Sequence, residues 1–395
     1  MRSLVLLAVF IMPVMSLASE GTWSGNVALE WRDFLQSPLA GEQQGDSMSL
    51  SFQPEYYRQW NNGQQAFRFT PFVRIDGKDQ ERSHLDLREL SWTYVSEEWE
   101  LLAGVSKVYW GVAESLHLVD IINQTDLVEN PDGEEKLGQP MIKLTLVRDW
   151  GDLDLFILPG FRERTFPGRR GRLRTQVPAS NGDADYASSA GREHIDVAAR
   201  WRKTLGDWDI GLSHFSGTAR QPLFREGTNS AGRSVLIPVY DTIDQTGLDV
   251  QATKGDWLWK LEAISRSGQG ERFSAAVGGF EYTLYGIFDS GADLGLLTEY
   301  LYDERGNAAT TPFEDDVFIG ARLAMNDVAS SELLAGVITD LSNGSQAYNL
   351  EASRRFGQHW KLNLEARLFS NINAKDLLAA QRNDDYVQLE LAYYF

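Results

Sequence analysis

The chain has 395 residues without a single cysteine, 37 Lys and Arg against 56 Asp and Glu, and a formal net charge of -19. The missing thiols exclude disulfide staples, thiol catalysis and Cys-based metal sites, and the acidic balance excludes nucleic acid as a partner of the molecule as a whole. With 35 Gly, 12 Trp, 14 Tyr and 19 Phe the chain is rich in turn formers and interfacial aromatics, yet its mean hydropathy of -0.33 is that of a soluble protein. A transmembrane barrel produces that combination, because only alternate residues of its strands meet lipid.

The first element reads as a secretory leader. Arg2 supplies a positive start, Leu4 to Met15 is nearly all apolar, and Ser16-Leu17-Ala18 offers small residues at the positions a signal peptidase needs. Residues 1–18 are the expected signal peptide, leaving a single barrel domain over 19–395. The apolar run is well short of the roughly 20 residues of a spanning helix, and no later segment is long enough, so insertion requires strands closed into a barrel.

Alternating segments then recur with turn residues between them. Val27-Leu29-Trp31, Met48-Leu50-Phe52, Phe67-Phe69 with Val73-Ile75, and Leu85-Leu87 with Leu90-Trp92-Tyr94 come first. The step from Leu87 to Leu90 breaks the period by one and predicts a bulge. Further along, Ile195-Val197-Ala199-Trp201, Trp257-Trp259-Leu261-Ala263, Val317-Ile319-Ala321-Leu323 and Trp360-Leu362-Leu364-Ala366-Leu368 each carry a polar opposite face. Short turns repeat a Gly beside an acid or a Trp at Asp149-Trp150-Gly151-Asp152, Gly206-Asp207-Trp208, Gly255-Asp256-Trp257 and Gly357-Gln358-His359-Trp360. Between them lie long connections near 110–138, 160–192, 217–242, 303–313 and 371–384. Short periplasmic turns, long outer loops and aromatic girdles are the grammar of outer-membrane barrels. We therefore expect an all-β, antiparallel, up-and-down transmembrane barrel of about 18 strands, with 16 if the weakly alternating pair over 139–159 does not span.

The segment from Trp110 to Gly133 is too apolar for a solvated loop: Leu116, Leu118, Val119, Ile121 and Ile122 need something to pack against. Folding inward would narrow the lumen and bring Asp120, Asn123 and Asp126 to a constriction; a plug or an outer lid is the competing reading. The next loop holds six arginines, Arg162, Arg164, Arg169, Arg170, Arg172 and Arg174. Guanidinium forks suit phosphate and carboxylate, so lipopolysaccharide phosphate, an anionic solute, or pairing with Glu129, Asp132, Glu134 and Glu135 are the candidate partners. Arg68, Arg74, Arg88, Lys143, Arg200 and Arg202 opposite Glu262 and Glu365 are the candidate pore-lining charges.

The pattern Trp110-Gly111, Glu114 and Asp120-Ile121-Ile122-Asn123 with Asp126, preceded by Gly104, resembles a family of proteobacterial porin-like outer-membrane proteins. Gln124 stands where the commoner pattern has Pro, and in size the chain is similar to alginate-export-type barrels of 18 strands. The resemblance implies a porin or a substrate-preferring channel.

The last strand, Val387 to Phe395, alternates and ends on an aromatic carboxyl terminus, resembling the signal read by the barrel-assembly machinery. The function expected is passive diffusion of small polar solutes, anionic ones included, in the Gram-negative outer membrane, with lipid and lipopolysaccharide as surroundings. A receptor, an adhesin or a structural barrel with a plugged lumen is the alternative. A hydrolase is disfavoured, since His84, His117, His194, His214 and His359 sit in no catalytic motif and no Gly-x-Ser-x-Gly elbow occurs. No cofactor motif is present, and the spacing of Asp126 and Asp132 does not fit a Ca²⁺ loop.

Overall fold

A computed structural model describes residues 21–229 and 231–395; the expected signal peptide lies outside them. Strands β1 (Thr22–Phe34), β2 (Asp46–Trp60), β3 (Gln65–Asp76), β4 (His84–Val95), β5 (Trp99–Ser106), β6 (Gln139–Arg148) and β7 (Gly151–Pro159) follow one another around a wall. A two-residue strand β8 (Asp185–Tyr186) lies in the next loop, before β9 (Ile195–Leu205) and β10 (Trp208–Thr218) resume the wall. β11 (Leu223–Thr228) and β12 (Ser234–Tyr240) form a hairpin outside it. The wall then runs through β13 (Thr242–Lys254), β14 (Trp257–Ser267), β15 (Phe273–Leu284), β16 (Asp293–Asp303), β17 (Asp315–Ala324), β18 (Glu332–Asp340), β19 (Gln346–Phe356), β20 (Trp360–Ser370) and β21 (Tyr386–Tyr394).

Eighteen of these strands form one antiparallel sheet, closed by pairing of β1 with β21 from Asn26↔Tyr394 to Phe34↔Tyr386. This is the expected barrel, and both β6 and β7 belong to it. The bulge also falls where the sequence placed it: Thr70 pairs with Glu89 and Pro71 with Leu87, leaving Arg88 as the extra residue. Closure gives every strand of the wall two neighbours, and 18 strands enclose a lumen wide enough for water unless something fills it.

Each strand sorts its residues by face. In β14, Trp257, Trp259 and Leu261 are exposed on the outside while Glu262, Ile264 and Arg266 are buried inside. Trp150, Trp208, Trp257 and Trp360 are exposed at the short-turn end, and Trp257 packs with Trp259, Phe280 and Tyr282 into part of a girdle. Gly206 and Gly255 hold φ of 61° in two of the short turns, a conformation that costs glycine nothing. At the closing seam the Phe395 N–H donates to the Gly25 carbonyl at 3.1 Å and the Phe395 ring stacks on Phe52.

One sector breaks the alternation. Met141, Phe156, Leu158, Phe215, Ile243 and Ile264 point inward yet are apolar and buried. An apolar patch inside an aqueous lumen is stable only if covered. The cover is the loop between β5 and β6.

Candidate functional site

Residues 107–138 leave β5, cross the lumen and return to β6. On the apolar sector Trp110, Val119, Ile121 and Ile122 pack into the inward patch, and Ala113 packs with Val277, Leu297, Leu301 and Phe318 on the next strands. Trp110 meets Phe156 edge to face at 5.7 Å and lies under the Arg200 guanidinium. Burying such side chains is worth about 1.5–3 kcal/mol each.

Polar contacts then fix the loop from several sides. The N–H groups of Val112, Ala113 and Val119 donate to the Glu262 carboxylate at 2.7, 2.9 and 3.1 Å. Those of Glu114 and Ser115 donate to Glu299 at 2.8 Å each. Glu114 pairs with Arg322 at 2.6 Å, Glu129 with Arg74 at 2.8 Å, and Asp132 with Arg367 at 3.0 Å. The Asn130 amide donates to Glu365 at 3.3 Å. These partners sit on β14, β16, β17, β3 and β20, so the loop is held inside the barrel by walls far apart around its circumference.

The residues of the quoted pattern divide by role. Asp120 accepts from the N–H groups of Trp110 at 2.5 Å and Gly111 at 3.3 Å, folding the loop onto itself. Asn123 accepts from Val108 at 2.8 Å and donates to the Ser106 and Leu137 carbonyls at 2.9 Å, tying the two stems together. Asp126 is fully buried and meets Arg88 at 2.8 Å. A side chain at Gly111 would start 2.4 Å from the His117 ring nitrogen, which explains the glycine. Asp120, Asn123 and Asp126 were expected at a constriction; the structure makes them internal ties, because each is spent on loop backbone or a buried cation. The loop residues that border the remaining space are Glu114, Asn130, Asp132 and Glu135, with Glu129 buried at its edge.

That space is a cavity of about 420 Å³ between the loop and the opposite wall, reaching toward the short-turn end. Nine carboxylates line it, Glu30, Glu114, Glu129, Asp132, Glu135, Glu332, Glu351, Glu365 and Glu390, against Arg74, Arg322 and Lys361. Among the described residues Glu135 and Glu332 have no cationic partner within salt-bridge distance, and Glu390 has only the Asn363 amide, at 2.9 Å. The excess charge of the lining is therefore negative.

The expected arginine wall is corrected accordingly. Arg74 is 6% exposed between Glu30 at 3.0 Å and Glu129, and Arg88 is 2% exposed between Asp86 at 3.1 Å and Asp126. Their charge is cancelled where it sits. Arg68 stays half exposed beside Glu89 at 3.2 Å, Lys143 lies 3.6 Å from Glu100, Arg200 pairs with Asp249 at 2.7 Å beneath the loop, and Arg202 pairs with Asp152 at 3.3 Å. Of the two predicted acids, Glu365 lines the cavity, whereas Glu262 is wholly buried as the loop's anchor.

The arginine cluster finds partners other than the expected acids. Arg162 pairs with Asp86 at 2.6 Å, Arg169 with Glu42 at 2.8 Å and Arg172 with Asp384 at 2.6 Å. Arg164 donates to Gln124 at 3.2 Å, and Arg174 donates to the Arg169, Thr175 and Gln176 carbonyls. Arg172 and Arg174 are buried, which removes them as lipopolysaccharide contacts; Arg170 is exposed. Together with Gly168, whose N–H donates to Asp79 at 2.9 Å, these bonds lay the loop 160–194 over the connections 35–45, 77–83 and 371–385 at the long-loop end.

His117 adds a titratable link inside the inserted loop, 2.8 Å from Glu134 and 3.7 Å from Glu262. Burial works against its charge, but the two carboxylates outweigh it and push the imidazole up to about 10 from the usual 6.5. A raised histidine stabilises fully below its unfolded value and loses that contribution as pH rises through the folded one. Stability should therefore decline between about pH 6.5 and 10, and His117→Gln should flatten that slope in urea midpoints measured across the range. An unchanged slope in the variant would remove His117 from the loop's anchoring.

No sequence family and no curated protein matches the chain. Solved structures do. Wzi, an outer-membrane protein involved in group 1 capsule assembly in Escherichia coli and described as a carbohydrate-binding β-barrel, aligns at TM-score 0.52 and 10% identity over 93% of this chain and 84% of its own. A mutant of the Rh. blastica porin and Vibrio cholerae OmpT in its trimer form each align at TM-score 0.46 and 11% identity, over 95% of this chain and all of theirs. The chain is a closed antiparallel barrel of 18 strands and shares its fold with the outer-membrane barrel Wzi.

Proposed function

We propose that the protein is a Gram-negative outer-membrane channel for passive diffusion of small hydrophilic solutes, narrowed by the loop 107–138 and favouring cations. The observation that carries this reading is the loop held across the lumen with an acid-lined cavity of about 420 Å³ left beside it. Uncancelled carboxylates along a narrow path attract cations and repel anions, so the anion preference suggested by the arginines is set aside. The outward aromatic and apolar belt supports the membrane setting, with the short turns periplasmic and the last strand presented to the assembly machinery. The reading assigns no catalysis. His214 lies 3.0 Å from the Thr246 hydroxyl and 3.9 Å from Asp244. All three lie on paired strands whose backbone N–H groups are used in the ladder and leave no oxyanion donors.

The loop 160–194 supports a second reading, a capped barrel whose outer loops bind a partner. Reversal potentials in a planar bilayer under a KCl gradient separate the two. The channel reading expects steady conductance with a cation-favouring potential, moved toward zero in a variant carrying Glu135→Gln, Glu332→Gln and Glu390→Gln, the carboxylates with no cationic partner. No conductance from a folded, heat-modifiable barrel supports the capped reading.

A further inference from the structure

The barrel wall has a gap between β4 and β6. β5 is only eight residues long and pairs with β4 from Leu90 to Val95, ending at Val105. Residues 84–89 of β4 pair with β3 on one side and, among the described residues, with no strand on the other. The chain at Gly138 draws near, since a Cβ there would lie 2.5 Å from the Leu87 and Arg88 carbonyl oxygens, but it does not extend the ladder. A notch of about 450 Å³ results.

Its rim is apolar and faces outward: Leu85, 82% exposed, with Leu87, Val105 and Pro140. Ile75 on one side, and Ile142 and Ile157 on the other, continue the exposed apolar belt around it. Its floor is charged. Arg162, about a third exposed, spends Nη2 on Asp86 at 2.6 Å and Nη1 on the Gly138 carbonyl at 2.9 Å. Asp86 divides its charge between Arg162 and Arg88, and Arg162 Nε has no described partner. Bare strand edge and spare guanidinium donors are costly against hydrocarbon, whereas an acyl chain suits the rim and a phosphate suits the fork.

We propose that this notch seats one phosphate-bearing membrane lipid of the leaflet on the long-loop side, its chain along Leu85 and Leu87 and its phosphate on Arg162. The proposal rests on the membrane-barrel reading but not on conduction. It gives Arg162 alone of the six clustered arginines a lipid contact through the wall.

The test is native mass spectrometry of the full folded barrel in detergent, titrated with phosphatidylglycerol. One saturable adduct is expected, weakened by about ten-fold in Arg162→Gln, the loss of one charged hydrogen bond. Leu87→Trp, which fills the notch from outside and leaves Arg162 untouched, should weaken it as much, while Ile319→Trp on a distant outward face should not. Heat-modifiability checks that each variant is folded. Absence of a saturable adduct, or equal adducts in wild type and Leu87→Trp, overturns the proposal. Complete displacement by millimolar inorganic phosphate overturns it as well, since the site would then take phosphate without the chain. A barrel that conducts but retains no lipid defeats this inference alone; one that neither inserts nor binds lipid defeats both readings.

Discussion

Replacing Glu262 by alanine is expected to release the inserted loop and to cost the barrel about 3–5 kcal/mol, because three backbone N–H groups lose a charged acceptor at once. Val112, Ala113 and Val119 all donate to this one carboxylate, which is fully buried and also faces His117. Their apolar neighbours cannot supply a substitute oxygen. Conductance should rise several-fold and protease should cut between residues 107 and 138. Glu262→Gln keeps one oxygen and should lie between the variant and wild type. A Glu262→Ala barrel with unchanged conductance and unchanged urea midpoint would mean that the loop is held by packing alone.

The second large effect is expected at Arg74. Its guanidinium donates to Glu129 and to Glu30, with the Ser49 hydroxyl as a further acceptor at 2.6 Å, and both carboxylates are nearly inaccessible. Arg74→Ala leaves two buried negative charges together, with Arg82 still beside Glu30 at 2.8 Å. Removing one member of a buried ion cluster costs about 3–5 kcal/mol. Arg68→Ala, at a half-exposed pair, should cost less than about 1 kcal/mol. Urea midpoints of the two variants measure the contrast directly; equal losses would contradict the burial on which the corrected role of Arg74 rests.

Much of this fold is legible in the sequence, because period-two alternation, glycine turns and girdle tryptophans are local signals. The bulge at Arg88 is visible for the same reason: one residue out of step moves every later side chain to the other face. The weakest segment, 139–159, is weak for a physical cause. In Leu153-Asp154-Leu155-Phe156-Ile157-Leu158 both faces are largely apolar, since the inner one receives Trp110 and Ile122. A strand apolar on both sides, next to a loop too apolar for solvent, is the signal that identifies the contact.

The site is less legible because its partners come from distant strands. Arg172 meets Asp384 and Arg169 meets Glu42, pairings that depend on which loops meet above the lumen. Rotation around the barrel decides that Glu332 and Glu390 look into one cavity without a cationic partner while Glu365, Arg74 and Arg88 are paired. A list of polar-face charges contains all five and cannot rank them. Asp120, Asn123 and Asp126 were correctly singled out as unusual, yet polar side chains in an apolar loop serve first to satisfy its backbone.

The position of the loop 107–138 is the claim on which the channel, the cation preference and the corrected arginine roles depend. Since the chain contains no cysteine, a double variant with Asn130→Cys and Glu365→Cys reports on it without background. These residues are in hydrogen-bond contact across the lumen, so a short bifunctional thiol reagent should join them in the intact membrane, seen as a mobility shift on a denaturing gel, and should lower conductance no further than modification of either single variant. Failure to cross-link, with the thiol at position 130 freely labelled by a bulky impermeant reagent from outside, would place the loop above the barrel and contradict the account.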